Sequence, residues 1–184
     1  MKILVCISLV FLSLHPSAKV VEGLDFSDKL TIEKNELHLN GIGIRKATWF
    51  KVKVYVGGLY LKKKSNDVTS ILGQDYPKFI EMRFVRNVDK DKLVGGWSDG
   101  FKAALSKKEL TTASKEIASF NSLMSDIKKK QTIRLIFLKD AVKVSFNSAD
   151  YTTIKSKSFS KRLLSIWFVK PRDKGLAKGL QGLK

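Results

Sequence analysis

Between residues 29 and 61 apolar side chains recur at every second position: Leu30 and Ile32, Leu37 and Leu39, Ile42 and Ile44, then Val52, Val54 and Val56. A period of two puts them on one face of an extended chain and predicts strands. Lys34-Asn35 separates the first two runs as a hairpin turn. A second bend is expected at 45–48, where Arg45 points away from the isoleucine face and lies among aromatic residues. Gly41 and Gly43, without a Cβ, suit a bulge or a close approach by another backbone or a ligand.

Further along, the rhythm changes. Residues 20–28 read as an irregular lead-in, and 67–72 as a short helix capped by Asp67 and stopped by Gly73. Pro77 opens a strand that ends near Arg86, with Ile80, Met82 and Phe84 on one face and Glu81, Arg83 and Val85 on the other. From Asp89, a plausible N-cap, the apolar period lengthens to four: Leu93, Trp97, Phe101 and Leu105 line one side of a helix. Gly95 and Gly96 weaken that helix by roughly 1 kcal/mol each, so their presence implies tight packing or room for a ligand. A second helix is expected over 112–128, with Ala113, Ile117, Phe120, Met124 and Ile127 on its apolar stripe and lysines 128–130 at its C-terminal dipole. Ile133, Leu135 and Phe137, then Val142, Val144 and Phe146, predict strands around Lys139-Asp140, and 151–154 a short third. Leu163, Leu164 and Trp167 form the apolar side of a tail helix broken by Pro171, and Leu176, Leu180 and Leu183 outline a last turn or two. The sum is an α+β fold, an antiparallel sheet covered on one side by helices.

Composition narrows what such a domain can do. The 184 residues suit one domain at 19–184, preceded by a segment 1–18 that has the form of a secretory signal peptide: Lys2, an apolar run over 3–14, and cleavage after Ala18. The run is shorter than the ~18 residues of a spanning helix, so a membrane anchor is the weaker reading and export to the periplasm or the medium is expected. Cys6 and His15 would leave with that segment. The remaining chain would hold no cysteine and one imidazole, His38, which falls on a polar strand face and reads as a surface residue. That excludes disulfides, thiolate nucleophiles, histidine triads and the usual zinc sites, and no metal or other cofactor is expected. The formal charge of +18 points to anionic partners, but export argues against nucleic acid. Its lysine clusters read first as a solvated surface and second as a weak attraction to acidic membrane lipid.

The stretch Gly41-x-Gly43-x-Arg45, the strand ending Gly58-Leu59-Tyr60-Leu61, the helix segment Lys92-Leu93-x-x-x-Trp97-x-x-Gly100-Phe101 and the late 163–168 run before Pro171 occur in an order that resembles the chalcone isomerase fold, in particular its exported bacterial chalcone isomerase-like branch. The resemblance spans most of the chain after residue 36. It implies an open-faced β-sandwich of the chalcone isomerase type, with a ligand cleft between sheet and helices. It also implies one of two activities. True isomerases close a chalcone by attack of a phenolate on an enone and stabilise the enolate with a tyrosine hydroxyl and cations. Fatty-acid-binding relatives hold an acyl chain, with an arginine and a tyrosine at the carboxylate.

Arg45 matches the arginine of both types, and Tyr55 falls where the isomerases carry a strand threonine. The tyrosine at the start of the cleft helix is replaced by Asn87-Val88-Asp89-Lys90-Asp91, and the isomerase helix asparagine by Gly95 or Gly96. These departures argue against chalcone isomerase activity. The leading expectation is therefore a non-catalytic, monomeric carrier of a small amphiphilic anion such as a fatty acid, with Arg45, Tyr55, Trp97 and Phe101 at the ligand. An intramolecular lyase acting on an enone or phenol, and a ligand-free interaction module of the cell envelope, are the alternatives. Two plainer readings stand beside the site: Trp97, Phe101, Phe120 and Trp167 as ordinary core, and Arg45 as the partner of Glu33 or Glu36 across a hairpin.

Overall fold

The computed structural model describes residues 18–47, 49–147 and 150–183, so the leader expected at 1–18 lies, apart from Ala18, outside the described residues. The expected lead-in is instead a hairpin of β1 (Ala18–Val21) and β2 (Leu24–Ser27). Its two-residue turn places Glu22 and Gly23 at φ 53° and 71°, the left-handed pair that matches strand twist. A turn signal of Glu-Gly is weaker than Asn-Gly, and the strands are only four residues each.

Seven strands then follow one another across a single antiparallel sheet in chain order: β3 (Lys29–Ile32), β4 (Asn35–Ala47), β5 (Val52–Leu61), β6 (Lys78–Phe84), β7 (Thr132–Phe137), β8 (Ala141–Phe146) and β9 (Thr152–Lys155). The first turn falls on Glu33-Lys34, one residue before its expected place, since Ile32 pairs with Asn35. Helix α1 (Val68–Gly73) begins on Asp67, whose carboxylate accepts the Ser70 N–H at 2.6 Å. Helix α2 (Lys90–Ala104) buries Leu93, Trp97 and Phe101, the spacing the sequence predicts.

The helix expected over 112–128 is shortened to α4 (Ser114–Ser122), and a separate helix that was not expected, α3 (Lys107–Thr112), precedes it. A capping box at Ser106 and Glu109 starts α3, a Ser-x-x-Glu signal legible in the chain. After Ser122 the backbone leaves the helix because it has other partners: Ile127 pairs with Val88, and Asp126 Oδ1 accepts the Lys90 N–H at 2.8 Å at the start of α2. Lysines 128–130 thus belong to the turn into β7, not to a helix end. Two short helices, α5 (Phe159–Ser165) and α6 (Lys174–Leu180), complete the layer.

A bulge at Asn40 decides how β4 is used. Leu37 and Leu39 face the outer cluster with Phe26, Val56, Tyr60, Phe79 and Ile136. Past the register shift between Leu39 and Gly41, the odd positions turn to the helix side. There Gly41 and Gly43 let α6 lie directly on the strand: a Cβ on Gly41 would run into the Gly179 carbonyl, and one on Gly43 into the Leu176 carbonyl. Asn40 secures the junction, donating to the Leu180 carbonyl at 2.8 Å and accepting the Ser65 N–H at 2.7 Å. Of the two uses the sequence leaves open for these glycines, a backbone approach is the one realised.

Candidate functional site

Between the sheet, helix α2, the segment that follows α5 and the start of α6 lies a cavity of about 380 Å³. That is near the lower end of the roughly 300–1,000 Å³ common for small-molecule pockets. Its wall is layered. Tyr55 of β5, Met82 and Phe84 of β6, Leu93 and Trp97 of α2, and Trp167 after α5 are buried side chains that line it. Arg86, Lys92 and Arg172 are exposed residues that line it too, so apolar groups lie inside and cations at the rim.

Arg45 follows from the parity of β4 after its bulge, which aims it to the helix side opposite its cross-strand neighbour Tyr55. It lines the cavity, but its charge is already engaged: the guanidinium lies 3.4 Å from Asp173 and also donates to the Lys46 carbonyl. Asp173 holds three donors at once. One oxygen caps α6 through the Leu176 N–H at 3.0 Å, and the other accepts the Lys46 N–H at 2.6 Å beside Arg45. Neither Glu33 nor Glu36 is Arg45's partner. Glu33 pairs with Lys143 at 2.7 Å and Glu36 with Lys29 at 2.9 Å.

Tyr55 lines the cavity from the buried end. Its hydroxyl accepts the Trp167 indole N–H at 3.2 Å, and among the described residues no acceptor takes its own proton. Burial pushes the phenol up to about 12, partly offset by the indole hydrogen bond and by Arg45. A neutral hydroxyl of this kind is a hydrogen-bond donor at any physiological pH.

Trp97 lines the cavity and fixes its floor, with its ring edge-on to Trp167 at 5.7 Å and its N–H on Met124 Sδ at 3.1 Å. Phe101, one helical turn further on, is not among the lining residues. It packs in the core between Phe120 at 6.3 Å and Phe159 at 5.9 Å, so its expected place at a ligand gives way to the plainer core reading. Beside Trp97, Gly96 lines the cavity, and a Cβ added there would meet nothing within 4 Å. The helix-weakening glycine therefore corresponds to open space.

The sequence reading misses Arg86. Lys92 is paired with Asp89 at 2.8 Å, Arg172 with Asp99, and Arg45 with Asp173, whereas Arg86 has no hydrogen-bond or ion-pair partner among the described residues. Its position just after β6, beside the start of the cleft helix, is the one signal that could have singled it out. Trp167 and Asp173 were also missed as site residues; nothing local marks a tail tryptophan as the partner of a strand tyrosine 112 residues away. Among the described residues no group of His, Cys, Asp and Glu could hold a metal ion. His38 stands beside Glu36 at 3.5 Å on β4 and is not part of the cavity.

Comparison with known proteins matches residues 18–182 to the family model described as chalcone isomerase-like. The crystal structure of an Arabidopsis thaliana fatty-acid binding protein superposes with a TM-score of 0.70 at 17% identity, covering 90% of this chain and 96% of that one. At that identity the likeness establishes the fold alone. No curated protein matches the chain by sequence.

Proposed function

This chain belongs to the chalcone isomerase-like family, and from that membership we propose that it is an exported, non-catalytic, monomeric protein that holds a small amphiphilic anion such as a fatty acid between sheet and helices. The observation that carries the reading is the cavity's polarity gradient, from Tyr55, Trp97 and Trp167 inside to Arg86, Lys92 and Arg172 at the rim. An acyl chain inside such a wall gains ~0.8 kcal/mol per buried methylene, while a charge-assisted hydrogen bond at the rim adds roughly 1.5 to 3. The chain supplies affinity and the carboxylate supplies orientation. The structural neighbour's description as a fatty-acid binding protein agrees with this reading.

Arg45 has a narrower role here than the resemblance implies. With Asp173 beside it, it is a partly neutralised wall that can share a hydrogen bond, and Arg86, unpaired among the described residues, brings the further charge. Tyr55, with its proton uncommitted, donates to whatever acceptor reaches the inner end. That same donor beside a guanidinium is what favours the second reading, an intramolecular lyase that stabilises an enolate. The ligand-free module is the reading an empty 380 Å³ does least to support.

Titration with decanoate and with decanol, alongside native mass spectrometry of the freshly purified protein, tests the proposal. Decanoate should bind at least about tenfold tighter than decanol, the lower limit of one charge-assisted bond. Equal affinities, or none for either, would overturn it; turnover across a panel of hydroxylated enones would move the assignment to the lyase. Export rests on the pattern of residues 1–18, and N-terminal sequencing of the mature protein from culture fractions decides it.

A further inference from the structure

The β4–β5 hairpin outruns its neighbours. β3 pairs with β4 only as far as His38, and β6 pairs with β5 only from Tyr55 onward, while β4 and β5 stay paired to Ala47 and Val52. The end of the hairpin is thus a two-stranded ribbon that projects past the sheet. At its tip Trp49 and Phe50 are 83% and 73% exposed, with ring centroids 4.6 Å apart. Two adjacent aromatic rings held in water at a protruding turn bury almost nothing of their own area, which calls for an external apolar phase.

We infer that this tip is a membrane-docking element, which inserts Trp49 and Phe50 into the interface of an anionic lipid bilayer. The charge around it selects that partner. Lys46 and Lys51 flank the rings and are exposed, as are Arg172 and Lys174 on either side of Asp173, which is tied to the hairpin at Lys46. The carboxylates that contact this end among the described residues, Glu22 and Asp173, are already engaged, by Lys53 at 2.8 Å and by Arg45. The chain as a whole carries +18. Basic residues beside interfacial aromatics are the combination that binds acidic lipid. A second copy of the chain fits less well. Two rings offer a few hundred Å² at most, against the ~800 Å² per partner of a stable protein interface, and two such cationic ends repel. Arg45, Ala47 and Val54 of the same hairpin line the cavity, so docking sets the cavity beside the lipid surface. The inference does not depend on what the cavity binds.

Trp49 reports on the event directly, because Trp97 and Trp167 are each 4% exposed and already in an apolar environment. The test is co-sedimentation and tryptophan emission with vesicles of equal parts phosphatidylglycerol and phosphatidylcholine, and with phosphatidylcholine alone. The expected result is salt-sensitive binding to the acidic vesicles with a blue shift. Binding should fall about tenfold or more in Trp49→Ser/Phe50→Ser, and by a smaller factor in Lys46→Gln/Lys51→Gln. The melting temperature should hold in the aromatic variant, whose lost rings are largely exposed and lie tilted against each other. No binding, binding without a blue shift, or equal binding by the aromatic variant would overturn the inference. So would a concentration-dependent dimer that the aromatic variant abolishes, which would assign the tip to self-association.

Discussion

The two faces of the sheet solve the same problem in opposite ways. On the outer face the β1–β2 hairpin drives Phe26 into the space above Gly58, where a Cβ would stand 2.7 Å from the phenyl ring, so the ring fills that space. On the helix face Gly96 stands over a void. Buried charge follows the same division. Glu81, 4% exposed on the outer face, has one carboxylate oxygen on Arg83 at 2.8 Å and the other on Arg134 at 2.9 Å. Lys78, fully buried on the same strand face as Ile80 and Met82, donates to the Leu72 carbonyl at 3.0 Å and lies 4.6 Å from the Tyr76 ring, with no ion pair among the described residues. One face is closed and compensated. The other keeps empty volume and an excess of cations, which is what a binding surface needs and a purely structural one avoids.

The contrast is sharpest if each face fails in its own currency. Phe26→Ala should cost about 3–5 kcal/mol by denaturant unfolding, the usual penalty for a buried phenyl, while decanoate affinity of the folded protein stays put. An affinity loss as large as the stability loss would mean that the faces are coupled. Arg86→Ala should do the reverse, weakening decanoate about tenfold to a hundredfold in calorimetry with little change in unfolding, since the side chain is exposed and has no partner to lose among the described residues. Next in size, Gly96→Leu should fill the void and lower affinity about tenfold, while the helix gains up to ~1 kcal/mol. A leucine there that leaves binding intact would show that the ligand sits elsewhere.

The smallest effect is a pH slope. Burial, helped by the charge of Lys161, pulls the Lys78 amine down to about 8 from an ordinary 10.5. Between those values the folded protein has released a proton that the unfolded chain still holds, so stability should rise as pH climbs from 8. Near pH 10 the buried tyrosines begin to oppose it: burial holds Tyr55 and Tyr60 protonated in the fold while the unfolded phenols ionise. Urea midpoints taken every half unit from pH 7.5 to 10 should therefore climb in the parent and stay flatter in Lys78→Met.

Much of this architecture is written in short-range periodicity. The alternation at 30–44 and 52–56 specified strands, the four-residue spacing from Leu93 to Leu105 specified the buried side of α2, and Asp67 announced its own helix. The orientation of Arg45 away from Ile42 and Ile44 was also legible, because parity along a strand needs only neighbours. The β1–β2 hairpin was not, since four-residue strands with a single buried anchor, Phe26, carry too little pattern to stand out. The break after Ser122 was hidden for a different reason: the apolar stripe does continue to Met124 and Ile127, but the Ile127 backbone pairs with Val88 rather than with the helix.

Local order thus came from the residues in a line, through φ/ψ preference and the burial of alternating side chains. What lay beyond that line was which charges are spent and where space stays empty. Arg45 meets Asp173 from 128 positions away, and Arg86 meets no ion-pair partner among the described residues. A cavity belongs to no segment at all. It is the volume left when α2, the segment after α5 and α6 settle on the sheet, and contacts between distant surfaces, rather than propensities along the chain, set its size and its lining.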